Sequence, residues 1–197
     1  MKKTSLFVSA ALLMFTGMVN AHGPVRGKMT ATVVIDAPAV KVWEVIKNYN
    51  DMSWHPSIKS VEGGNNEKGA VRKLTLANGG TITEELKSHD DSKMSYKYKI
   101  TDMSSTGTIK HAGQDEEIPV LPVGNYAAEL SVADKGGKAE VEWVATYYRA
   151  YVNNNPPAEL NEEAADKAVT DVLTTGLKAL DKKVGSGSAE VKIDLKR

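Results

Sequence analysis

Apolar and polar residues alternate with period two through much of the chain, and the alternation is broken at regular intervals by short glycine- and asparagine-rich clusters. Successive strand side chains point to opposite faces, so this pattern predicts strands with one face buried. Such runs occupy Ile58 to Glu62, Ala70 to Ala77, Thr81 to Ser88, Lys93 to Thr101, Tyr126 to Ala133 and Lys138 to Tyr151, with Thr32 to Ile35 ahead of them. The clusters Gly63-Gly64-Asn65-Asn66, Asn78-Gly79-Gly80 and Lys135-Gly136-Gly137 read as hairpin turns. About seven strands, largely antiparallel, are therefore expected.

The period changes to that of a helix in two places. Asp36-Ala37-Pro38-Ala39 is a helix start, with Asp36 near the cap and Pro38 in the first turn, and predicts a helix over Pro38 to Asn48. Its apolar stripe is Val42, Trp43, Val45 and Ile46, with Tyr49 nearby. A second helical turn over Asp51 to His55 should end before Pro56. Glu159 to Val184 is a long amphipathic helix whose apolar face runs from Leu160 through Ala164, Ala168, Val172, Leu173 and Gly176 to Leu177 and Leu180. The order strand, helix pair, strands, long helix predicts an α+β fold. A curved antiparallel sheet grips the C-terminal helix and leaves a pocket between them.

Two segments lack either period. Asp102 to Gly124 is too long for an ordinary connection and is expected to be an irregular lid or docking loop. After the long helix, Gly185-Ser186-Gly187-Ser188 reads as a flexible linker, and Ala189 to Arg197 as a charged tail.

The opening residues add a destination. Lys2 and Lys3 precede an apolar run from Leu6 to Val19, and Val19-Asn20-Ala21 has the form of a signal-peptidase site. Residues 1–21 are expected to be a cleaved signal peptide, with a mature periplasmic protein starting at His22. The run is shorter than the ~20 residues a membrane span needs. There are no cysteines, which excludes disulfides, a thiol nucleophile and thiolate metal sites. Lys plus Arg equals Asp plus Glu at 25 each, so removing Lys2 and Lys3 leaves 23 against 25, a net charge of −2. That balance argues against nucleic acid as a partner. No glycine-rich phosphate loop, Gly-x-Ser-x-Gly elbow, His-x-x-x-His pair or haem-attachment motif occurs, and no cofactor is expected.

Strand alternation nominates the pocket lining. Arg72 shares a face with Leu74 and Leu76, and Glu84 with Ile82 and Leu86, so an Arg–carboxylate pair is expected to point inward, either to orient a ligand or as a purely structural ion pair. Tyr96, Tyr98, Tyr126 and Trp143 would supply an aromatic lining or plain core. Trp54-His55-Pro56 falls at the pocket mouth, where His55 is either a proton-transfer group or part of a turn plugged by Trp54. An N-terminal His22 could chelate a metal through its amine and ring, but His55, His89 and His111 show no matching ligand spacing. On the surface, Asp115-Glu116-Glu117 and the segment from Tyr148 and Arg149 to Pro157 are candidate contacts for a protein partner.

Several segments together resemble a known family: Val34-Ile35-Asp36-Ala37-Pro38-Ala39-Val40-Lys41-Val42-Trp43, Met52-Ser53-Trp54-His55-Pro56, Gly69 to Leu76, Gly79 to Leu86 and Leu121-Pro122-Val123-Gly124-Asn125-Tyr126. They are similar to the START-like or SRPBCC superfamily, in its polyketide cyclase/dehydrase branch. That resemblance implies the helix-grip fold over residues 22–184 and a ligand cavity. His22-Gly23-Pro24, Tyr148-Arg149 and Asn155-Pro156-Pro157-Ala158-Glu159-Leu160 further resemble the periplasmic accessory proteins of methanol oxidation, of MxaD type. This second likeness implies an accessory protein that promotes the interaction or maturation of a quinoprotein methanol dehydrogenase with its cytochrome c acceptor, and the absence of a paired base or nucleophile motif beside His55 makes a non-enzyme the expectation. The alternatives are a carrier of a small hydrophobic ligand or lipid and, less favoured, a cyclase or dehydratase with His55 as base and Glu84 or Tyr98 orienting substrate. Ser104 to Glu117 and the tail after Gly185 depart from the family pattern.

Overall fold

The computed structural model describes residues 23–197. The expected signal peptide and His22 lie outside the described residues. The elements, in chain order, are β1 (Gly27–Ile35), α1 (Ala39–Ile46), β2 (Ile58–Gly63), β3 (Val71–Leu76), β4 (Thr81–Asp90), β5 (Ser95–Met103), β6 (Ser105–His111), β7 (Gln114–Pro119), β8 (Val123–Lys135), β9 (Lys138–Arg149), α2 (Glu162–Val184) and β10 (Lys192–Lys196). Eight strands form one sheet in the order β10-β1-β9-β8-β5-β4-β3-β2, and every neighbouring pair is antiparallel. Its inner face curves around α2, giving the helix-grip arrangement.

The long helix is held by a buried stripe of Ala165, Val169, Leu173, Leu177 and Leu180, spaced by three or four residues. Asn161 caps it by accepting a hydrogen bond from the Ala164 amide at 2.8 Å. Glu162 and Glu163 lie in the first turn and Lys182 and Lys183 in the last, each favourable to the helix dipole. The helix begins at Glu162 because Ala158–Leu160 forms a separate 3-10 turn and Asn161 is extended. Residues 164, 168 and 172, expected on the buried face, are half-buried at its flank.

Four further expectations change. Pro38, rather than Asp36, stands at the N-cap of α1, and Asp36 pairs with Lys138 at 3.2 Å. The segment from Asp51 to His55 is not helical. It makes successive turns in which the His55 amide bonds the Met52 carbonyl and the Ile58 amide bonds the His55 carbonyl.

The segment expected to be an irregular loop holds a hairpin, β6–β7, closed by Ala112 and Gly113, both at positive φ. It stands apart from the main sheet, so neither face is fully buried and no hydrophobic alternation marks it.

The tail is a strand. β10 pairs with β1, placing Leu195 beside Met29 and Ile193 beside Ala31, while Ala189 and Val191 pack on the core. The turn into it is secured where Asp181 Oδ2 accepts from the Ala189 amide at 2.8 Å.

Candidate ligand cavity

The sheet curves away from α2 over β3, β4 and β5, leaving a cavity of about 450 Å³. Leu74, Leu76, Ile82 and Ile100 give it an apolar wall, and Val172 and Thr175 of α2 form the opposite side. The mouth is rimmed by Pro56 and Ser57, by Ala77 and Asn78 in the β3–β4 turn, and by Val120 and Leu121 after β7. The base of the β6–β7 hairpin is tied to that rim, since Ser104 bonds Thr81 in both directions, amide to carbonyl at 2.9 Å and amide to hydroxyl at 2.8 Å. Gly80 leaves the space that Val120 fills, for an added Cβ would fall 2.4 Å from its Cγ1.

Arg72 and Glu84 stand directly opposite each other in the β3–β4 register, which is why their side chains meet. Arg72 Nε and Nη2 both donate to Glu84 Oε2, at 2.7 and 2.6 Å, and Nη1 donates to the Tyr49 carbonyl. The guanidinium lies 4.0 Å from the Tyr49 ring centroid and 5.4 Å from that of Tyr98. Burial raises the Glu84 carboxyl above the ordinary carboxylate range, with Arg72 opposing the shift. A paired charge at this depth costs desolvation, but removing one partner costs more, about 3–5 kcal/mol.

Tyr98 accepts a hydrogen bond from Trp143 Nε1 at 3.0 Å, and its hydroxyl lies within reach of that of Tyr126. Burial raises the pKa of both phenols, keeping them protonated hydrogen-bonding groups. His55 also lines the cavity, but both its nitrogens are engaged. Nδ1 accepts from the Ser57 amide at 3.2 Å, so the proton sits on Nε2, which donates to the Val172 carbonyl at 3.1 Å. Burial lowers its pKa and keeps it neutral. Gly176 permits this contact, because a Cβ there would lie 2.6 Å from His55 Cδ2 and 2.8 Å from Trp143 Cζ3.

The cavity thus gathers His55, Arg72, Glu84, Tyr98, Tyr126 and Trp143, six of the eight side chains nominated for it. The other two stand behind its wall. Trp54 packs against His55 and Trp143 with ring centroids 5.7 Å from each, and Tyr96 stacks on His89 at 6.1 Å. Alternation identifies the face a side chain occupies but not its depth within the core. Sequence reasoning missed Val120 and Leu121, which lay inside a segment read as an irregular loop, and Thr175, a polar residue beside the apolar stripe.

Among the surface candidates, Asp115, Glu116 and Glu117 lie on β7, with Asp115 paired to Lys110 at 2.8 Å. Tyr148 is half-buried. Arg149 is not a surface contact, since it is 5% exposed and turned inward. It donates to the carbonyls of Tyr151 and Asn153 at 2.8 Å each and pairs with Glu162, clamping the end of β9 to the start of α2. No group of three or more His, Asp or Glu side chains is arranged to hold a metal among the described residues. His89 bonds the Lys47 carbonyl at 2.7 Å, and His111 meets the Tyr151 ring, both away from His55.

Residues 26–185 match the family model described as polyketide cyclase/dehydrase and lipid transport. The chain belongs to that family. Its β10 strand falls beyond the matched residues. Among solved structures, XoxI from Bacillus cereus is 25% identical with a TM-score of 0.61, the alignment covering 80% of this chain and 94% of that one. A protein from Nitrosospira multiformis is 24% identical, with a TM-score of 0.60 and coverage of 82% and 98%. Norcoclaurine synthase from Thalictrum flavum, solved with dopamine and hydroxybenzaldehyde, shares the fold at 14% identity, TM-score 0.57 and coverage of 92% and 96%. Among curated proteins none matches the sequence.

Proposed function

We propose that this family member is a periplasmic, non-catalytic binding protein that holds one small, mostly apolar molecule between the sheet and α2. The observation that carries this reading is the cavity itself. At about 450 Å³ it falls within the range of small-molecule sites, and it joins an apolar wall to a few fixed polar groups. The engagement of both His55 nitrogens supports binding over catalysis, because a general base must reach the proton it takes. The experiment is native mass spectrometry on protein exported to the periplasm, followed by solvent extraction and identification of whatever is carried. A retained molecule in a fixed ratio, lost when Leu74→Arg blocks the wall, supports the reading. Protein that carries nothing and shows no saturable binding of apolar probes refutes it.

A second reading gives the family cavity an accessory role in methanol oxidation, promoting contact between a quinoprotein methanol dehydrogenase and its cytochrome c. The motif likeness around Tyr148-Arg149 and Asn155 to Leu160 supports it, as does a hairpin that carries Asp115, Glu116 and Glu117 apart from the main sheet. Electrostatically steered redox encounters need only a modest charged surface and weaken with salt. Affinity capture from a methylotroph's periplasm at low and physiological salt tests this reading. Salt-sensitive recovery of the dehydrogenase or its cytochrome by the intact protein, but not by one with a short linker replacing residues 105–119, supports it. Equal recovery by both forms places the contact elsewhere.

A further inference from the structure

The Arg72–Glu84 pair is lopsided. Both guanidinium contacts converge on Glu84 Oε2, and Oε1 receives none. The side-chain atoms that are fully buried without a partner, among the described residues, are Tyr49 Oη, Trp54 Nε1 and Asp181 Oδ1, and Glu84 Oε1 is not one of them. Glu84 is nevertheless 5% exposed and borders the cavity, so its free oxygen opens onto that space. The Tyr126 hydroxyl also borders the cavity; Tyr98, which already accepts from Trp143, can donate its own proton to Tyr126, and the Tyr126 proton is left to face the cavity. Glu84 pairs with Ile100 across β4–β5, and the β5–β8 register brings Lys99 opposite Ala127. Tyr126 therefore follows on β8 beside Ile100, and acceptor and donor flank the same stretch of cavity wall.

The cation has nothing comparable to offer. Arg72 is 1% exposed, its nitrogens are turned to Glu84 and Tyr49, and the Tyr49 ring lies 4.0 Å from its centre. An anionic head group entering the cavity would meet the open carboxylate oxygen of Glu84 before any free cation, in surroundings that strengthen repulsion between like charges. A neutral group that both gives and accepts a hydrogen bond would satisfy the two open positions together.

We infer that the cavity selects neutral molecules with an apolar body and a hydroxyl, which donates to Glu84 Oε1 and accepts from Tyr126, and that it rejects carboxylates of the same shape. This rests on the ligand-binding reading above.

The test measures displacement of a neutral naphthylamine fluorophore from the intact protein at pH 8 by octanol, octyl methyl ether and octanoate. Octanol should bind at least tenfold more tightly than octanoate, and more tightly than the ether, which cannot donate. Tyr126→Phe should weaken octanol about two- to tenfold, the range of one net hydrogen bond, and weaken the ether by a similar factor, since its oxygen accepts from the same hydroxyl. Octanoate binding as well as or better than octanol, or an ether equal to the alcohol, would overturn the selectivity and leave the cavity reading standing. A fluorophore that fails to bind, with none of the three ligands raising the unfolding temperature, would remove both.

Discussion

Replacing Gly176 by alanine tests whether α2 is seated on His55 and Trp143 as closely as the structure has it. In the interior of an exposed helix this change stabilises by about 0.5–1 kcal/mol, because glycine loses more backbone entropy on folding. Here the new methyl carbon would lie 2.6 Å from His55 Cδ2, 2.8 Å from Trp143 Cζ3 and 2.9 Å from His55 Nε2. Neither ring is free to swing away. His55 is held at both nitrogens by Ser57 and Val172, and Trp143 is held through Nε1 by Tyr98. The helix must therefore move outward, at an overpacking cost of about 1–3 kcal/mol, and the His55–Val172 bond adds about 1 kcal/mol if it breaks. After subtracting the propensity gain, the net loss is about 1–3 kcal/mol. For a domain of this size that corresponds to an unfolding temperature about 2–12 °C lower. Thermal unfolding followed by circular dichroism measures it directly. An unfolding temperature equal to or above that of the parent protein would refute the close seating of α2 and the placement of His55 that depends on it.

Arg72→Met should cost about 3–5 kcal/mol in chemical denaturation by stranding Glu84, and adding Glu84→Leu should recover a large part of that loss; a double variant worse than the single would contradict the buried pair. His55 is neutral in the fold with its pKa lowered from 6.5, so its contribution is complete above about pH 6.5 and is lost as pH falls below it towards the folded pKa, where the unfolded chain takes up a proton the fold does not. Glu84, raised by burial, contributes with the opposite sign just above the usual carboxylate range, so the comparison is between the parent and His55→Gln, whose stability should decline less from pH 7 to pH 5.5. Ending the chain after Gly187 removes β10, the Ala189 donor to Asp181 and the Arg197–Asp166 pair, and bares the edge of β1; about 2–4 kcal/mol of stability should go, with association visible in sedimentation. Unchanged stability together with a monomeric truncated protein would show that β10 is dispensable.

Seven of the eight sheet strands and α2 were legible in the sequence because nearly all have one face against the core, and the burial demand is written as a period; β2, with only Ile58 and Val61 half-buried, was legible from the turn that follows it. The inward meeting of Arg72 and Glu84 followed from the same alternation once two strands were joined by the Asn78-Gly79-Gly80 turn. The hairpin escaped because it buries no complete face. The tail carries a short alternation, Lys192-Ile193-Asp194-Leu195-Lys196, but only the vacant edge of β1 turns it into a strand. Arg149 looked like a surface residue because the groups that hold it, the Asn153 carbonyl and Glu162, lie further along the chain. In each case the missing information was tertiary, the identity of the neighbour rather than the preference of the segment.

The placement of β1 has a kinetic consequence. Its two neighbours, β9 and β10, come from the far end of the chain, whereas β2, β3, β4 and β5 pair in sequence order through short turns. Pairings that close such long loops form late and slowly. The strand synthesised first is therefore among the last to be placed, and until then Met29, Ala31, Val33 and Ile35, all fully buried in the finished fold, have no sheet to join. A chain in that state is long-lived enough to be captured by a chaperone and exposed enough to aggregate without one. Refolding from denaturant should accordingly show the β2–β5 meander protected from hydrogen exchange before β1.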